Sequence, residues 1–205
     1  MELKQVIENR RSVRVFRDEP VPLADLREMV RLGSLAPSVA NYQPWKFVIV
    51  TNKDLLVDMA DEVITQLEDI PANESKASKN IRSQVEWFAT FFQDAPALIA
   101  LAMESYESVL EKGVLMSHDE INRSRNYPDI QSAGACIQNM LLAAVDMDYG
   151  ACWLSAPMIA KDKLKEMLGL EENVRLIAFV AVGVPEKIPP KKPVKDIDEM
   201  LKVIE

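Results

Sequence analysis

Histidine occurs once in this 205-residue chain, as His118, and cysteine twice, as Cys136 and Cys152. A lone imidazole excludes a histidine-clustered metal centre and argues against a Ser-His-Asp triad. His118 sits in the polar run Ser117-His118-Asp119-Glu120 and is read as exposed. The cysteines lie in apolar segments without metal-ligand spacing. They are too few for a disulfide scaffold and read as small buried hydrophobes in a reducing compartment.

Long apolar runs are also missing. The longest, Ala97–Met103 and Ile177–Val182, fall far short of the roughly 18 residues of a membrane span and read as buried strands. The N-terminus lacks the charged-then-apolar order of an export signal, so the expectation is a cytoplasmic protein. Neither GxGxxG nor a P-loop pattern occurs, which argues against a Rossmann nucleotide site. Positive charge is in deficit, with a net charge of −8. Such a balance argues against nucleic acid as a partner, and any anionic ligand must be held by a local cluster of cations.

What is present has the composition of one globular domain over residues 1–205, with 48% hydrophobic and 27% charged residues. Leu3, Val6 and Ile7 have helical spacing, and Arg10–Arg17 alternates as a short extended segment. Pro22 fits the first turn of a second helix carrying Leu23, Leu26, Met29 and Val30 on one face, ended by Pro37. Lys46–Thr51 is a strand candidate. Helices are predicted at 53–69 and 79–93, separated by Pro71-Ala72-Asn73, then a strand at 97–103. Residues 104–126 read as a helix plus a mobile loop. An amphipathic helix is predicted over 130–149, with Gly150 as its C-terminal stop. A short helix at 160–168 and a strand at 174–184 follow. Four prolines between 185 and 193 mark an extended tail, closed by a small helix at 196–204. Helices and strands mix without regular βαβ alternation, which favours α+β.

Four segments could carry chemistry. Arg10, Arg11, Arg14 and Arg17 fall within eight residues beside Ser12. Arginine forks match phosphate oxygens, although a solvated face paired with Asp18 and Glu19 explains the run equally well. Ala36–Trp45 holds two prolines with Ser38, Asn41 and Gln43. It could read the polar edge of a flat heterocycle, or simply be the turn that ends a helix. Gly150–Pro157 is either a small-residue turn that brings backbone N–H groups to a ligand or a strand with a buried tryptophan. Pro189-Pro190-Lys191-Lys192-Pro193 places two cations on a stiff tail, or is a solvated linker.

Taken in order, these segments resemble the FMN-dependent nitroreductase family. The match runs from Arg10-Arg11-Ser12-Val13-Arg14-Val15-Phe16 through Pro37–Trp45, Ile137–Ala144 and Gly150–Leu154 to Val182-Gly183-Val184-Pro185 and the basic tail. The resemblance implies a central, mainly antiparallel sheet flanked by helices, a C-terminal extension and a homodimer with FMN at its interface. Arg10, Arg11 and Ser12 would then hold phosphate and ribityl oxygens, and Arg14 would lie near the flavin pyrimidine edge. Pro37, Ser38 and Asn41 would come from the partner subunit. Trp153, Leu154 and Ser155 would supply a backbone N–H near flavin N5, and Lys191 and Lys192 would complete the phosphate site. Gln131 is assigned to the cofactor by the same resemblance. The chain departs from the family in carrying two tail lysines where an arginine is common. Ser155 and Ala156 stand where some relatives have glutamate and glycine. Phe88, Phe91 and Phe92 occupy a segment that is polar in some relatives; they either pack on the flavin or fill the core, and core packing is the expectation for them.

The implied activity is reduction of a small nitroaromatic, quinone or enone acceptor, with NADH or NADPH as donor and the flavin carrying the chemistry. Arg14 is the electrostatic candidate, and no protein nucleophile is expected. Other readings are a flavin carrier or sensor without turnover, a dehalogenating or flavin-fragmenting relative, and an acidic interaction protein without cofactor.

Overall fold

The computed structural model describes residues 1–71, 73 and 75–205. Among the described residues, seven α-helices surround a four-stranded sheet: α1 (Leu3–Asn9), α2 (Leu23–Ser34), β1 (Trp45–Val50), α3 (Lys53–Glu68), α4 (Lys76–Thr90), β2 (Ala97–Glu104), α5 (His118–Ser124), α6 (Pro128–Asp146), β3 (Gly150–Leu154), α7 (Lys161–Met167) and β4 (Val174–Gly183). The sheet order is β1-β2-β4-β3, with every pair antiparallel, which makes the fold α+β as expected. Ala72, part of the expected break between α3 and α4, lies outside the described residues.

The near-continuous hydrophobicity of β2 and β4 follows from burial on both faces. Leu98, Ala100, Phe179 and Ala181 pack with Leu56, Met59 and Val63 of α3 and with Phe92. Ala97, Ile99, Val180 and Val182 pack on the other face with Leu26 and Met29 of α2 and Ile137 and Met140 of α6. Successive strand residues therefore feed opposite layers, and neither face is left for polar side chains. At roughly 25 cal/mol per Å² of apolar area, this double burial is the main source of stability.

Three expectations need correction. Leu23 is exposed, so the buried face of α2 is Leu26, Met29 and Gly33 instead. Gly150 does not stop the long helix. α6 ends at Asp146, Asp148 takes the left-handed turn at φ 63°, and Gly150 opens β3. The small helix expected at 196–204 is only a 3₁₀ turn over Ile197–Glu199, because Ile197, Met200 and Leu201 find nothing in this chain to bury against. Residues 105–117 form turns ahead of the short α5, whose Ser117 and Glu120 make a capping box. Among the described residues, no helix is long and apolar enough to cross a membrane.

Gly150 and Gly183 are cross-strand partners at one end of the sheet. A Cβ on Gly150 would stand 2.8 Å from Val13, and one on Gly183 would stand 2.8 Å from the Phe16 ring. The paired glycines thus let the N-terminal extended segment press against the sheet end. Val13 N donates to Ala151 O at 3.1 Å, and Arg17 N donates to Val184 O at 2.9 Å. Phe16 also bridges to Pro185. The two ends of the chain are thereby laid side by side.

Candidate functional site

That packing brings the two basic segments together. A cleft of about 390 Å³ is lined by Arg10, Arg11, Ser12 and Arg14 on one side and by Lys191 and Lys192 on the other. Arg17 leaves the cluster to pair with Glu19 at 3.5 Å, while Asp18 pairs with Lys53. The solvated-face reading therefore holds for Arg17 alone. Among the described residues, none of Arg10, Arg11, Arg14, Lys191 and Lys192 enters an ion pair. Glu8 also lines the cleft, but its carboxylate pairs with Lys4 at 4.0 Å. Five cations converging with no carboxylate paired to them is costly through mutual repulsion, and a multiply charged anion relieves that cost.

Local bonds orient the arginines. Arg11 Nη1 donates to Glu8 O at 2.7 Å and to Arg10 O at 2.8 Å, which ties it to the C-terminal end of α1. Its Nε is buried with no partner. Arg14 Nη1 donates to Ser12 O at 3.2 Å. Cys152 lies behind this corner. Burial raises its thiol pKa, and the neighbouring Arg14, Ser12 and Arg10 oppose the rise. The buried thiol is thus held neutral and does not line the cleft. Cys136, pushed up to about 12 by burial, is likewise held neutral.

Gly150–Leu154 is a strand, yet Trp153 on it is 45% exposed rather than buried. β3 is an edge strand, so alternate residues turn their backbone groups away from the sheet. The bond from Val13 N shows that Ala151 faces outward. Trp153, two residues on, therefore turns its N–H to the same open edge. Leu154 is buried in the core, and by the same alternation its backbone turns inward to Phe179 of β4. Trp153 and Ser155 line a second hollow of about 260 Å³ with Gly134, Met158 and Arg175.

The remaining expected residues lie away from the arginine cleft. Pro37, Ser38 and Asn41 sit in the loop after α2, outside the lining of that cleft. Ser38 Oγ accepts from Gln43 N at 2.9 Å, and Asn41 Oδ1 accepts from Gln43 Nε2 at 3.1 Å. Ala40, Asn41 and Gln43 all have positive φ, a strained conformation held by these bonds. Gln131 Nε2 donates to Asn126 O at 2.8 Å in the first turn of α6.

Two features escaped sequence reasoning. His118 is half-buried rather than simply exposed. Its Nδ1 lies 2.6 Å from Glu111 Oε1 and its Nε2 3.7 Å from Asp129 Oδ2, with Tyr106 edge-on to its ring. The His118 hydrogen bond holds the Glu111 carboxyl down at about 2, with help from Ser108. Phe91 and Phe92 fill the core as expected, whereas Phe88 is 39% exposed and lies under Arg14. Both features join residues from separate elements, and no local spacing encodes them.

The donor set fits a phosphate-bearing ligand. It supplies arginine forks, a serine hydroxyl, lysines from the opposite chain end, and a nearby sheet edge with an outward N–H. Comparison with known proteins places the chain among relatives of one family. An iodotyrosine deiodinase of Hydra vulgaris is 29% identical over 182 residues, which cover 87% of this chain and 63% of that protein. The chain thus spans less than two thirds of that relative's length. A putative NAD(P)H nitroreductase of Bacillus subtilis is 25% identical over 203 residues, 95% of this chain and 91% of that protein. A BluB-like flavoprotein from Clostridium difficile superposes over 100% of both chains with a TM-score of 0.87 and 28% identity. An FMN-bound nitroreductase from Desulfitobacterium hafniense, at 21% identity, shares the fold with a TM-score of 0.76 over 100% of this chain and 99% of its own. Residues 7–184 match the Nitroreductase family, and with the fold and the clustered cations in place, the chain belongs to that family.

Proposed function

We propose that this chain is a flavin-dependent oxidoreductase that binds FMN in the arginine cleft and reduces a small acceptor with electrons from NADH or NADPH. The observation that carries the reading is the convergence of five cations without carboxylate partners, drawn from both ends of an acidic chain. When bound, FMN supplies two-electron hydride chemistry between a nicotinamide and an acceptor. Arg10, Arg11 and Ser12, with one of the tail lysines Lys191 and Lys192, would hold the phosphate and ribityl oxygens. Arg14 holds positive charge where electron uptake deposits negative charge on the flavin. The Trp153 N–H at the strand edge, with Leu154 and Ser155 beside it, orients the reacting edge of the ring.

We read Pro37, Ser38 and Asn41 as belonging to the site of a second copy, which makes the working unit a homodimer. Their place outside the cleft of their own chain supports this, as do the exposed apolar residues of the tail. Gln131 stays an assigned cofactor contact on the resemblance alone. A second reading of the acceptor, a halogenated aromatic, is favoured by the similarity to a protein named as an iodotyrosine deiodinase.

The test is anaerobic reduction of the FMN-loaded protein by each nicotinamide, followed by nitroaromatic, quinone, enone and halophenol acceptors. Bleaching of the flavin bands by a nicotinamide, with reoxidation by one acceptor class, supports the enzyme reading. FMN binding without reduction leaves a carrier. Failure to take up FMN overturns the proposal.

A further inference from the structure

Arg14 is oriented by an unusual set of neighbours. Its guanidinium carbon stands 5.2 Å from the centroid of the Phe88 ring and 6.0 Å from that of Phe91. Phe88 lies in the last turn of α4 and Phe91 three residues on, so both rings project to one side. Trp87 braces the pair, with its ring 4.9 Å from Phe88 at 74° and 5.9 Å from Phe91 at 34°. The aromatic ledge runs outward from Phe91, which is buried in the core, to the half-exposed Phe88.

An arginine can be fixed by a carboxylate or by an aromatic face, and the two differ in consequence. A carboxylate cancels the positive charge it orients. The ring quadrupole attracts a cation without carrying net charge, so the field of the arginine survives. Arg14 has the second kind of support and, among the described residues, no ion pair.

We propose that Phe88 is a positioning residue that holds the Arg14 guanidinium at full charge against the pyrimidine edge of the bound flavin. The inference rests on the FMN reading of the cleft. It assigns a purpose to an aromatic segment for which core packing was the expectation and packing on the flavin the alternative.

The test compares the FMN midpoint potential and dissociation constant of wild type with those of Phe88→Leu, Phe88→Met, Phe88→Tyr, Arg14→Gln and the Phe88→Leu/Arg14→Gln double variant. Leucine and methionine keep apolar bulk without a ring face, and either suffices should the other misfold. Both should shift the reduced-to-oxidised preference by up to tenfold towards oxidised flavin, about 30 mV lower for a two-electron couple. Phe88→Tyr should restore the wild-type potential. In the Arg14→Gln background, Phe88→Leu should add no further shift, because the two residues act through one group.

A wild-type potential in both ring-deleted variants overturns the proposal, as does an equal shift with Arg14 already removed. An unchanged potential in Arg14→Gln overturns it as well. If wild type takes up no FMN, the reading of the cleft itself is lost. If wild type binds FMN and the potential follows Arg14 but ignores Phe88, the cleft reading stands and this inference alone fails.

Discussion

Lys191 and Lys192 are neighbours on an exposed, proline-flanked stretch, and both line the cleft. Under the proposed function one tail cation completes the phosphate site, so single alanine variants should differ. Loss of a charge-assisted contact of about 1.5–3 kcal/mol corresponds to a roughly 10- to 150-fold weaker FMN Kd for one lysine. Flavin fluorescence titration should show little change for the other. Glu111 allows a second expectation. Its pKa is lowered in the folded state, first by the hydrogen bond to His118 and then by those to Ser108. A lowered carboxyl pKa stabilises the fold above the unfolded value of 4.5, and the gain is lost as pH falls towards about 2. Glu111→Gln should therefore be less stable than wild type near neutral pH, and urea unfolding of the two should converge as pH approaches 2. A constant difference across that range would refute the linkage.

The N-terminal extended segment, the β3 edge and the end of β4 act together as the frame of the cleft. Their close approach depends on Gly150, whose absent side chain leaves room for Val13. Gly150→Ala forces a Cβ to 2.8 Å from Val13 and must push the segment outward. Overpacking of this kind costs about 1–3 kcal/mol. Displacing Val13 also carries Ser12 and Arg14 with it. The variant should thus show a lower thermal midpoint and a weaker FMN Kd, whereas Gly113→Ala, whose Cβ would meet only Leu110 O at an ordinary 3.8 Å, should change neither.

For the molecule as a unit, charge and exposed apolar surface are the relevant quantities. The tail beyond Pro193 exposes Val194, Ile197, Met200, Leu201, Val203 and Ile204. So many exposed apolar side chains in twelve residues call for a covering partner, and a second copy of the chain is the occupant under the proposed homodimer. Deleting residues 194–205 should halve the mass seen by light scattering and weaken FMN binding, because the Pro37–Asn41 loop would no longer reach a neighbouring cleft. An unchanged mass would remove the tail from the interface. With a net charge of −8, the cleft is a positive island in a negative protein. Raising the salt should therefore weaken FMN binding, as screening removes the local attraction before it touches the buried contacts.

Elements carried by long apolar or amphipathic periodicity were legible in the chain: β2, β4, α2, α3 and α6 fall within a few residues of where spacing placed them. The reason is local, since the period of burial is written in consecutive residues. The basic clusters at the two chain ends were equally legible as candidates, each with a bland alternative. Their meeting was not. It depends on Gly150 pairing with Gly183 and on Val13 and Phe16 closing over them, contacts between residues far apart in the sequence. Tertiary packing alone also exposed Trp153, drew His118 to Glu111, and set Arg14 over Phe88. Composition names the groups available for chemistry. Which of them share a cleft is settled by long-range contacts that no local pattern records.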